Sequence, residues 1–407
     1  MDTLTRRRFL VASGVTGAAA LAAGGTLGLR ELLATAGDRD PAAKTLVLVT
    51  LYGGNDGLNT LIPYADPAYA AARADLAYQP DELLRLGDRF ALNPGLAGLH
   101  RLYQDGGLAI VRGVGYPKPD RSHFRSMDIW QTGQPARPEG TGWLGRWLDA
   151  AGGDPRLAVS FEPVLPPLLA GATSAGATVP GGELKLPGVI TPAQVRRLGA
   201  AAPGESPAAA RAAACFADLV RIQDLMNRVA EGAADEEAED DDADPATATG
   251  GGAPPLDQQL ALVARCVEAG VATRVYSVSL GGFDLHAGGK VAQRSILARL
   301  DKPLAAFRER MAGKGVVVAV YSEFGRRVRA NASEGTDHGT ASDMFLLGDG
   351  VNGGMYGEAP SLTDLDDGDL KYTVDFRDVY ATLLAGVLGS DPARILDGWT
   401  GRIDELL

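Results

Sequence analysis

Four short runs of apolar and β-branched residues recur along the chain. They cover Lys44 to Tyr52, Leu108 to Val114, Thr273 to Leu280 and Gly315 to Ser322, and each is bounded by glycine or polar residues. Nearly continuous apolar runs of this length predict strands buried on both faces, as in parallel sheets.

Between these runs, apolar residues repeat with helical spacing. The predicted helices are Pro94 to Gln104 after an Asn93 cap, Ser295 to Met311, Phe376 to Leu388 after an Asp375 cap, and segments at about 208–229 and 256–269. Strands alternating with helices predict an α/β fold with a mostly parallel sheet covered on both sides. Such sheets bind ligands at the carboxyl ends of their strands.

The first 36 residues have the three zones of a twin-arginine signal peptide. The sequence TRRRFL at residues 5–10 is followed by the uncharged stretch 11–29, and Ala34-Thr35-Ala36 offers a cleavage site. The stretch approaches the length of about 20 residues that spans a bilayer. It is rich in Ala and Gly rather than Leu, Ile and Phe, which favours cleavage over a membrane anchor.

We therefore expect the twin-arginine translocase to be a partner, and residues 37–407 to form a single periplasmic or extracellular domain. We expect no stable membrane span after cleavage.

The formal charge of −12 reflects mainly one local run, since nine acidic and no basic residues lie between Glu231 and Pro245. This run predicts a disordered loop at about 232–255.

The composition argues against nucleic-acid binding, because no basic stripe is available to neutralise phosphates. The chain has two cysteines, Cys215 and Cys266. In an oxidising envelope they could pair across the acidic loop, or both could be buried thiols. The sequence leaves both alternatives open.

Polar motifs follow three of the predicted strands. They are Gly53-Gly54-Asn55-Asp56-Gly57, Gly281-Gly282-Phe283-Asp284-Leu285-His286, and Ser322-Glu323-Phe324-Gly325-Arg326. Parallel strands end at one edge of a sheet, so these motifs would present carboxylates there. The glycines allow sharp turns and a close approach of the backbone to a ligand.

Three of the four histidines stand beside carboxylates or in polar loops: His123, His286 and His338. His100 lies on an amphipathic helix and is interpreted as structural. Mixed Asp, Glu and His ligands favour Zn²⁺ or Mn²⁺ over Mg²⁺ or Ca²⁺. Two such ions can hold the attacking and leaving oxygens of a phosphoryl- or sulfuryl-type displacement.

Each motif also has a simpler interpretation. The segment Gly53 to Gly57 could be only a tight turn, Asp284 could orient a structural His286, and Asp337-His338-Gly could be another turn. Ser122 precedes a predicted helix that extends to Thr132, which favours N-capping over nucleophilic attack. The arginines that could bind an anion, or be merely solvated or ion-paired, are Arg121, Arg125 and Arg326.

Taken in order, the motifs closely resemble a bacterial exported family catalogued as domain-of-unknown-function family 1501. The resemblance is carried by TLVLVTLYGGNDGLNTLIPY (45–64), GYPKPDRSHFRSMDIWQT (115–132), GGFDLH (281–286), SEFGR (322–326) and GTDHGT (335–340). It extends over about residues 44–388, with the acidic loop as an insertion. The family in turn resembles the alkaline phosphatase and sulfatase superfamily.

This resemblance implies a three-layer α/β/α sandwich with a metal centre of one or two ions at the strand ends. The implied ligands are Asp56, Asp284, His286, Asp337 and His338, completed or flanked by Glu323 and His123. Ser122 is a positional candidate for the nucleophile of the superfamily, and Arg121 is the other predicted catalytic residue. Asn55, Arg125 and Arg326 are candidates for substrate binding.

The chain also departs from the superfamily pattern. No histidine follows His338, Leu285 stands where relatives tend to have Thr, and Gln293 and Arg294 stand where a further His is frequent. The leading hypothesis is a metal-dependent hydrolase of small-molecule or glycan phosphate or sulfate esters, attacked by Ser122 or by water. The alternative is a non-catalytic envelope protein that binds a glycan or a protein on a degenerate fold.

Overall fold

The computed structural model describes residues 35–136, 140–179 and 253–407, with the short pieces 25–26 and 32–33. The strands are β1 (Gly25–Thr26), β2 (Thr45–Leu51), β3 (Leu61–Ile62), β4 (Leu84–Arg85), β5 (Ala91–Leu92), β6 (Leu108–Gly115), β7 (Ala158–Ser160), β8 (Ala177–Thr178), β9 (Val275–Leu280), β10 (Val316–Ser322), β11 (Ser342–Gly348), β12 (Gly354–Tyr356), β13 (Leu365–Asp366), β14 (Asp369–Leu370) and β15 (Val374–Asp375). The helices are α1 (Gly57–Thr60), α2 (Pro67–Arg73), α3 (Ala97–Gln104), α4 (His123–Thr132), α5 (Trp143–Ala150), α6 (Leu256–Glu268), α7 (Gly289–Arg310), α8 (Phe376–Gly386) and α9 (Pro392–Ile395).

A large central sheet has the strand order β1-β8-β7-β9-β2-β10-β11-β6-β12, and β15 also pairs with β6. Among its described strands, β11 alone is antiparallel to its neighbours, β10 and β6. The four strands predicted from the apolar runs are β2, β6, β9 and β10, so the prediction of an α/β fold with a mostly parallel sheet is confirmed. The antiparallel β11 was not predicted.

Alternate residues of the central strands enter two different apolar clusters. In β2, Leu46 and Leu48 belong to a cluster that also contains residues of α4, α5 and α8. Val47 and Val49 belong to a second cluster, which contains residues of α3, α6 and α7. Because side chains alternate across a strand, the two clusters lie on opposite faces of the sheet. Burial on both faces explains why these strands are apolar throughout.

The predicted start of α3 was wrong. Asn93 accepts a hydrogen bond from Gly95 N (2.9 Å), but the helix begins at Ala97. The free N–H groups of its first turn are instead satisfied by a distant carboxylate, since Asp301 of α7 accepts from Gly98 and Leu99 at 2.8 and 2.7 Å. A cap supplied by another helix leaves no local sequence signal.

The helix predicted from Ser295 begins six residues earlier, because α7 spans Gly289–Arg310. Its added first turns bury a polar residue, Gln293, and therefore lack the expected apolar repeat. The other predicted starts were correct: Asp375 caps α8 by accepting from Arg377 N, and α6 spans Leu256–Glu268. α8 ends at Gly386, two residues before the predicted Leu388.

Several sequence predictions lie wholly or partly outside the described residues. These include the twin-arginine motif, the helix at about 208–229, most of the acidic loop, and Cys215. Within the predicted signal peptide, Gly25–Thr26 pairs with β8, and Leu32 is fully buried.

Cys266 is buried, and burial raises the pKa of its thiol to about 11. In the described part of the chain, no helix is long and apolar enough to cross a membrane.

Candidate metal centre

The chain directions in the sheet bring four loops to one edge. Leu51 is the register partner of both Leu280 and Ser322, so β2, β9 and β10 end side by side. β6 is parallel to these strands and ends shortly before His123. β11 runs in the opposite direction, so its first residue, Ser342, lies at this same edge, a few residues after His338.

Gly53 and Gly54 allow these loops to pack closely. Their φ angles are +113° and +71°, in the region that side-chain-bearing residues rarely adopt. A Cβ on Gly53 would lie 2.6 Å from the backbone nitrogen of Asp284, and one on Gly54 would lie 2.3 Å from the ring of Phe324. The double glycine is therefore needed for the approach of two other loops as well as for a turn.

Four side chains converge at this edge. The Nε2 atoms of His123 and His338 lie 3.1 Å apart, and they lie 3.5 and 3.2 Å from Asp284 Oδ1. His286 Nε2 lies 2.9 Å from the same Oδ1 and 3.1 Å from His338 Nε2. His123, Asp284 and His338 form a group tight enough to share one ion, and His286 adjoins two of them from a more exposed position.

In His123 and His338, the hydrogen bond of Nδ1 fixes which ring nitrogen carries the proton. His123 Nδ1 lies 2.8 Å from Glu323 Oε1, and His338 Nδ1 lies 2.8 Å from the carbonyl oxygen of Arg121. Both partners are acceptors, so each Nδ1 must donate. In the neutral imidazoles, both Nε2 atoms then direct lone pairs into the cluster, which is how metal-binding histidines are usually oriented.

This arrangement suits a divalent cation. Two Nε2 lone pairs and a carboxylate oxygen 3.1–3.5 Å apart repel one another unless positive charge lies between them. Zinc bonds of about 2.0–2.1 Å at tetrahedral angles place the ligand atoms roughly 3.3 Å apart, which matches this spacing. The donor set, nitrogen with carboxylate oxygen, also fits Zn²⁺ or Mn²⁺.

The environment favours the ligand forms of Asp284 and His338. Burial alone would raise the pKa of Asp284, but the hydrogen bond and charge of Arg326, together with His123 and His286, bring it below its ordinary value. Burial lowers the pKa of His338, and Arg326 and His123 lower it further, although the bond to the Arg121 carbonyl opposes this. Asp284 is therefore favoured as the carboxylate and His338 as the neutral imidazole, which are the forms that bind a metal ion.

Arg326 is 2 % exposed and joins the loops of the site. Its guanidinium donates to the carbonyls of Gly54 (2.6 Å), Thr336 (2.9 Å), Phe283 (3.1 Å) and Gly53, and to Asp284 Oδ1 at 2.7 Å. It was predicted to bind substrate. Its donors are instead used within the protein, where they hold Asp284 in place.

Three carboxylates predicted to hold or flank the ion lie outside the tight group. Asp56 forms a buried ion pair with Arg73, whose other donors bond to the carbonyls of Val328 and Arg327. Asp337 is exposed, with Oδ1 3.7 Å from His286 Nδ1. Glu323 is buried and adjoins the cluster through His123 alone, while also accepting from Gly53 N at 2.9 Å.

The predicted anion and nucleophile groups are dispersed. Arg121 is ion-paired with Asp367 and Asp369, and Asn55 Oδ1 accepts from Thr60 and from Gln293. Ser122 occupies the N-cap position of α4, but its side chain makes no capping hydrogen bond, so that part of the prediction was wrong. Its backbone N–H donates to Asp120 instead.

Sequence reasoning missed two residues that shape the site. Arg73 neutralises Asp56 from the end of α2, and the Phe324 ring packs against the rings of His123 and His338, with centroids 4.8 and 5.0 Å apart. No spacing signal marks Arg73. Phe324 stands within the predicted motif at 322–326 and could have been singled out there.

The fold and site define an α/β protein with a histidine and carboxylate centre at the carboxyl edge of a mostly parallel sheet. A family model described as "Protein of unknown function (DUF1501)" matches residues 111–406, and the chain belongs to this family. The match contains the three clustered histidines, Asp284 and Glu323, whereas the segment around Asp56 precedes it. Among curated proteins, no relative matches the chain.

Proposed function

We propose that the protein is an exported, metal-dependent hydrolase of phosphate or sulfate esters. The observation that carries the proposal is the orientation of His123 and His338, each of which donates from Nδ1 to a fixed acceptor and directs Nε2 towards Asp284. Purely structural histidines would not gain from two lone pairs facing each other.

One ion fits better than two. His123, Asp284 and His338 would hold it, with His286 as a fourth, more exposed ligand. Two of the predicted carboxylate ligands, Asp56 and Asp284, are each already bonded to a buried arginine, which leaves fewer free oxygens for a second ion. The ion, Zn²⁺ or Mn²⁺, would polarise an ester oxygen, offset the charge that develops there and make water a better nucleophile.

Water is a better candidate nucleophile than Ser122. A serine is activated by an adjacent base or by coordination to a metal, and the Ser122 hydroxyl has no hydrogen-bonded base among the described residues. The neighbouring His338 directs its Nδ1 to the backbone of Arg121 rather than to this hydroxyl. Ser122→Ala should therefore retain most of the activity.

The resemblance of the motifs to the alkaline phosphatase and sulfatase superfamily supports an ester of a small molecule or glycan as substrate. It also supports a three-layer α/β/α sandwich, with which the two apolar clusters on opposite sheet faces agree. The TRRRFL motif at 5–10 supports export through the twin-arginine translocase to the periplasm or beyond. That route carries folded proteins, so the ion could be bound before export.

The test is a screen of the zinc- and manganese-loaded protein against aryl phosphates, phosphodiesters and aryl sulfates. We expect turnover that His338→Ala abolishes and His100→Ala leaves intact, since His100 bonds to the carbonyl of Arg85 and is not part of the cluster. Metal-loaded protein that turns over none of these esters would contradict the hydrolase. Such a result would favour a protein that binds a glycan or a protein partner on the same fold.

A further inference from the structure

A cavity of about 400 Å³ lies outside the histidine cluster. Its walls come from α1, the loop before β5, strands β6 and β11, and the loop at 359–362. None of the three clustered histidines or Asp284 lines it. Its volume falls in the range of small-molecule pockets, about 300–1,000 Å³.

A bulge in β6 lies opposite the polar part of the cavity wall. Between the paired positions Ser342–Val114 and Met344–Val111, β6 has two residues, Arg112 and Gly113, where β11 has one, Asp343. Bulges redirect side chains and are frequent beside functional sites. Both Ser342 and Asp343 line the cavity.

These polar groups are poorly satisfied within the protein. Ser342 is 6 % exposed, and its hydroxyl has no hydrogen-bond partner among the residues that the structure describes. The Asp343 carboxylate accepts one long bond, from Gly113 N at 3.3 Å. Burial raises the pKa of Asp343 to about 7, so near neutral pH it can donate as well as accept. A buried hydroxyl without a partner calls for an explanation, and a ligand supplies one.

Two arginines, Arg89 and Arg112, and two acidic residues, Asp66 and Asp343, line the cavity. Because the raised pKa of Asp343 leaves it partly protonated near neutral pH, positive charge predominates and favours an anion. The arginines lie at 5.6 and 5.3 Å from the centre of the Phe90 ring. Within the described ranges, neither forms an ion pair, and the Arg112 guanidinium bonds only to the carbonyls of Tyr356 and Gly357. The remaining walls are largely apolar and include Leu58 and Leu362.

We propose that this cavity is a second binding site, which takes a small organic anion with an apolar body. Arg89 and Arg112 would bind the anionic group. Ser342 and Asp343 would form hydrogen bonds with a polar group of the ligand, and the leucines and Phe90 would pack against its apolar body. The proposal is independent of any metal or hydrolytic activity.

The experiment is calorimetric titration of the full-length protein with 3-phenylpropionate, 3-phenylpropanol and 3-phenylpropylamine, which share one apolar body and differ in charge. We expect saturable binding of the carboxylate at least ten-fold tighter than of the alcohol or the amine. Addition of a chelator should leave the affinity unchanged, which separates this site from the metal centre. Equal affinity for all three compounds, a loss of binding with chelator, or no saturable binding of the carboxylate would overturn the proposal.

Two variants locate the site. Arg89→Ala removes an exposed guanidinium, and Ser342→Ala removes a hydroxyl that the free protein leaves without a partner, so neither should lower the melting temperature. Each should weaken binding of 3-phenylpropionate at least five-fold, whereas Arg310→Ala, the loss of an exposed arginine paired with Glu268, should not change it. Unchanged affinity in both cavity variants would contradict the site.

Discussion

His123 and Glu323 are joined by a 2.8 Å hydrogen bond between Nδ1 and Oε1, although 200 positions separate them in the chain. The carboxylate is buried and also accepts from Gly53 and Ser322. A bond fixed in this way determines the tautomer and ring orientation of His123. The metal centre therefore depends on a residue that does not itself face the ion.

Glu323→Gln tests this dependence. The amide can still accept from His123 but lacks the negative charge of the carboxylate. Loss of such an outer partner lowers metal affinity by about 10- to 100-fold, and we expect that range in a chelator competition assay. Glu268→Gln, in an exposed pair with Arg310, is the matched control and should leave the affinity unchanged. Equal affinities in both variants would argue against the orienting role.

Asp56→Asn separates the buried ion pair from the metal centre. The change leaves Arg73 buried without its carboxylate, and breaking such a pair costs about 3–5 kcal/mol. We expect a lower free energy of unfolding in denaturant titrations and an unchanged metal content per folded chain. A loss of bound metal with little loss of stability would show instead that Asp56 is a ligand.

Gly54 and Gly106 form a matched pair for testing the packing of the strand-end loops. Their φ angles are +71° and +72°, but a Cβ on Gly54 would lie 2.3 Å from the Phe324 ring, whereas one on Gly106 meets nothing within 4 Å. Both Ala variants carry the left-handed backbone cost of about 1–2 kcal/mol. Only Gly54→Ala should also displace Phe324 and weaken metal binding, as calorimetry with Zn²⁺ would detect. Equal effects of the two variants would contradict this account.

Asp343 should make stability depend on pH. Its pKa is raised from 3.8 to about 7 in the folded chain, so the folded protein binds an extra proton between these values. The stabilisation from protonated Asp343 is therefore complete below about pH 4 and is lost as the pH rises through 7. The free energy of unfolding should fall over this window more steeply in the wild type than in Asp343→Asn. Parallel pH profiles would show that the pKa of Asp343 is not raised.

The sequence was sufficient to predict the strands that carry the site, because strands buried on both faces are apolar throughout. It also identified every residue of the cluster: the motifs after β9 and β10 supplied Asp284 and Glu323, and the scarcity of histidine directed attention to His123, His286 and His338. These predictions rest on local patterns, which sequence reasoning handles well.

Predictions that depend on distant partners were less successful. The role of Asp56 depends on Arg73, and the start of α3 depends on Asp301. The hydrogen bonds of Arg326 depend on carbonyls from two other loops and from a distant part of its own loop. The direction of β11 is likewise a property of the whole sheet. No spacing within the sequence reports which side chain will neutralise another after folding.

The central claim is that His123, Asp284 and His338 bind one divalent ion. The most direct test is elemental analysis of the purified protein after loading with Zn²⁺ or Mn²⁺ and desalting, in parallel with His123→Ala, His338→Ala and His100→Ala. We predict about one ion per chain in the wild type and in His100→Ala, and a loss of bound metal in the two cluster variants. Metal-free wild type, or equal metal content in all four proteins, would contradict the account.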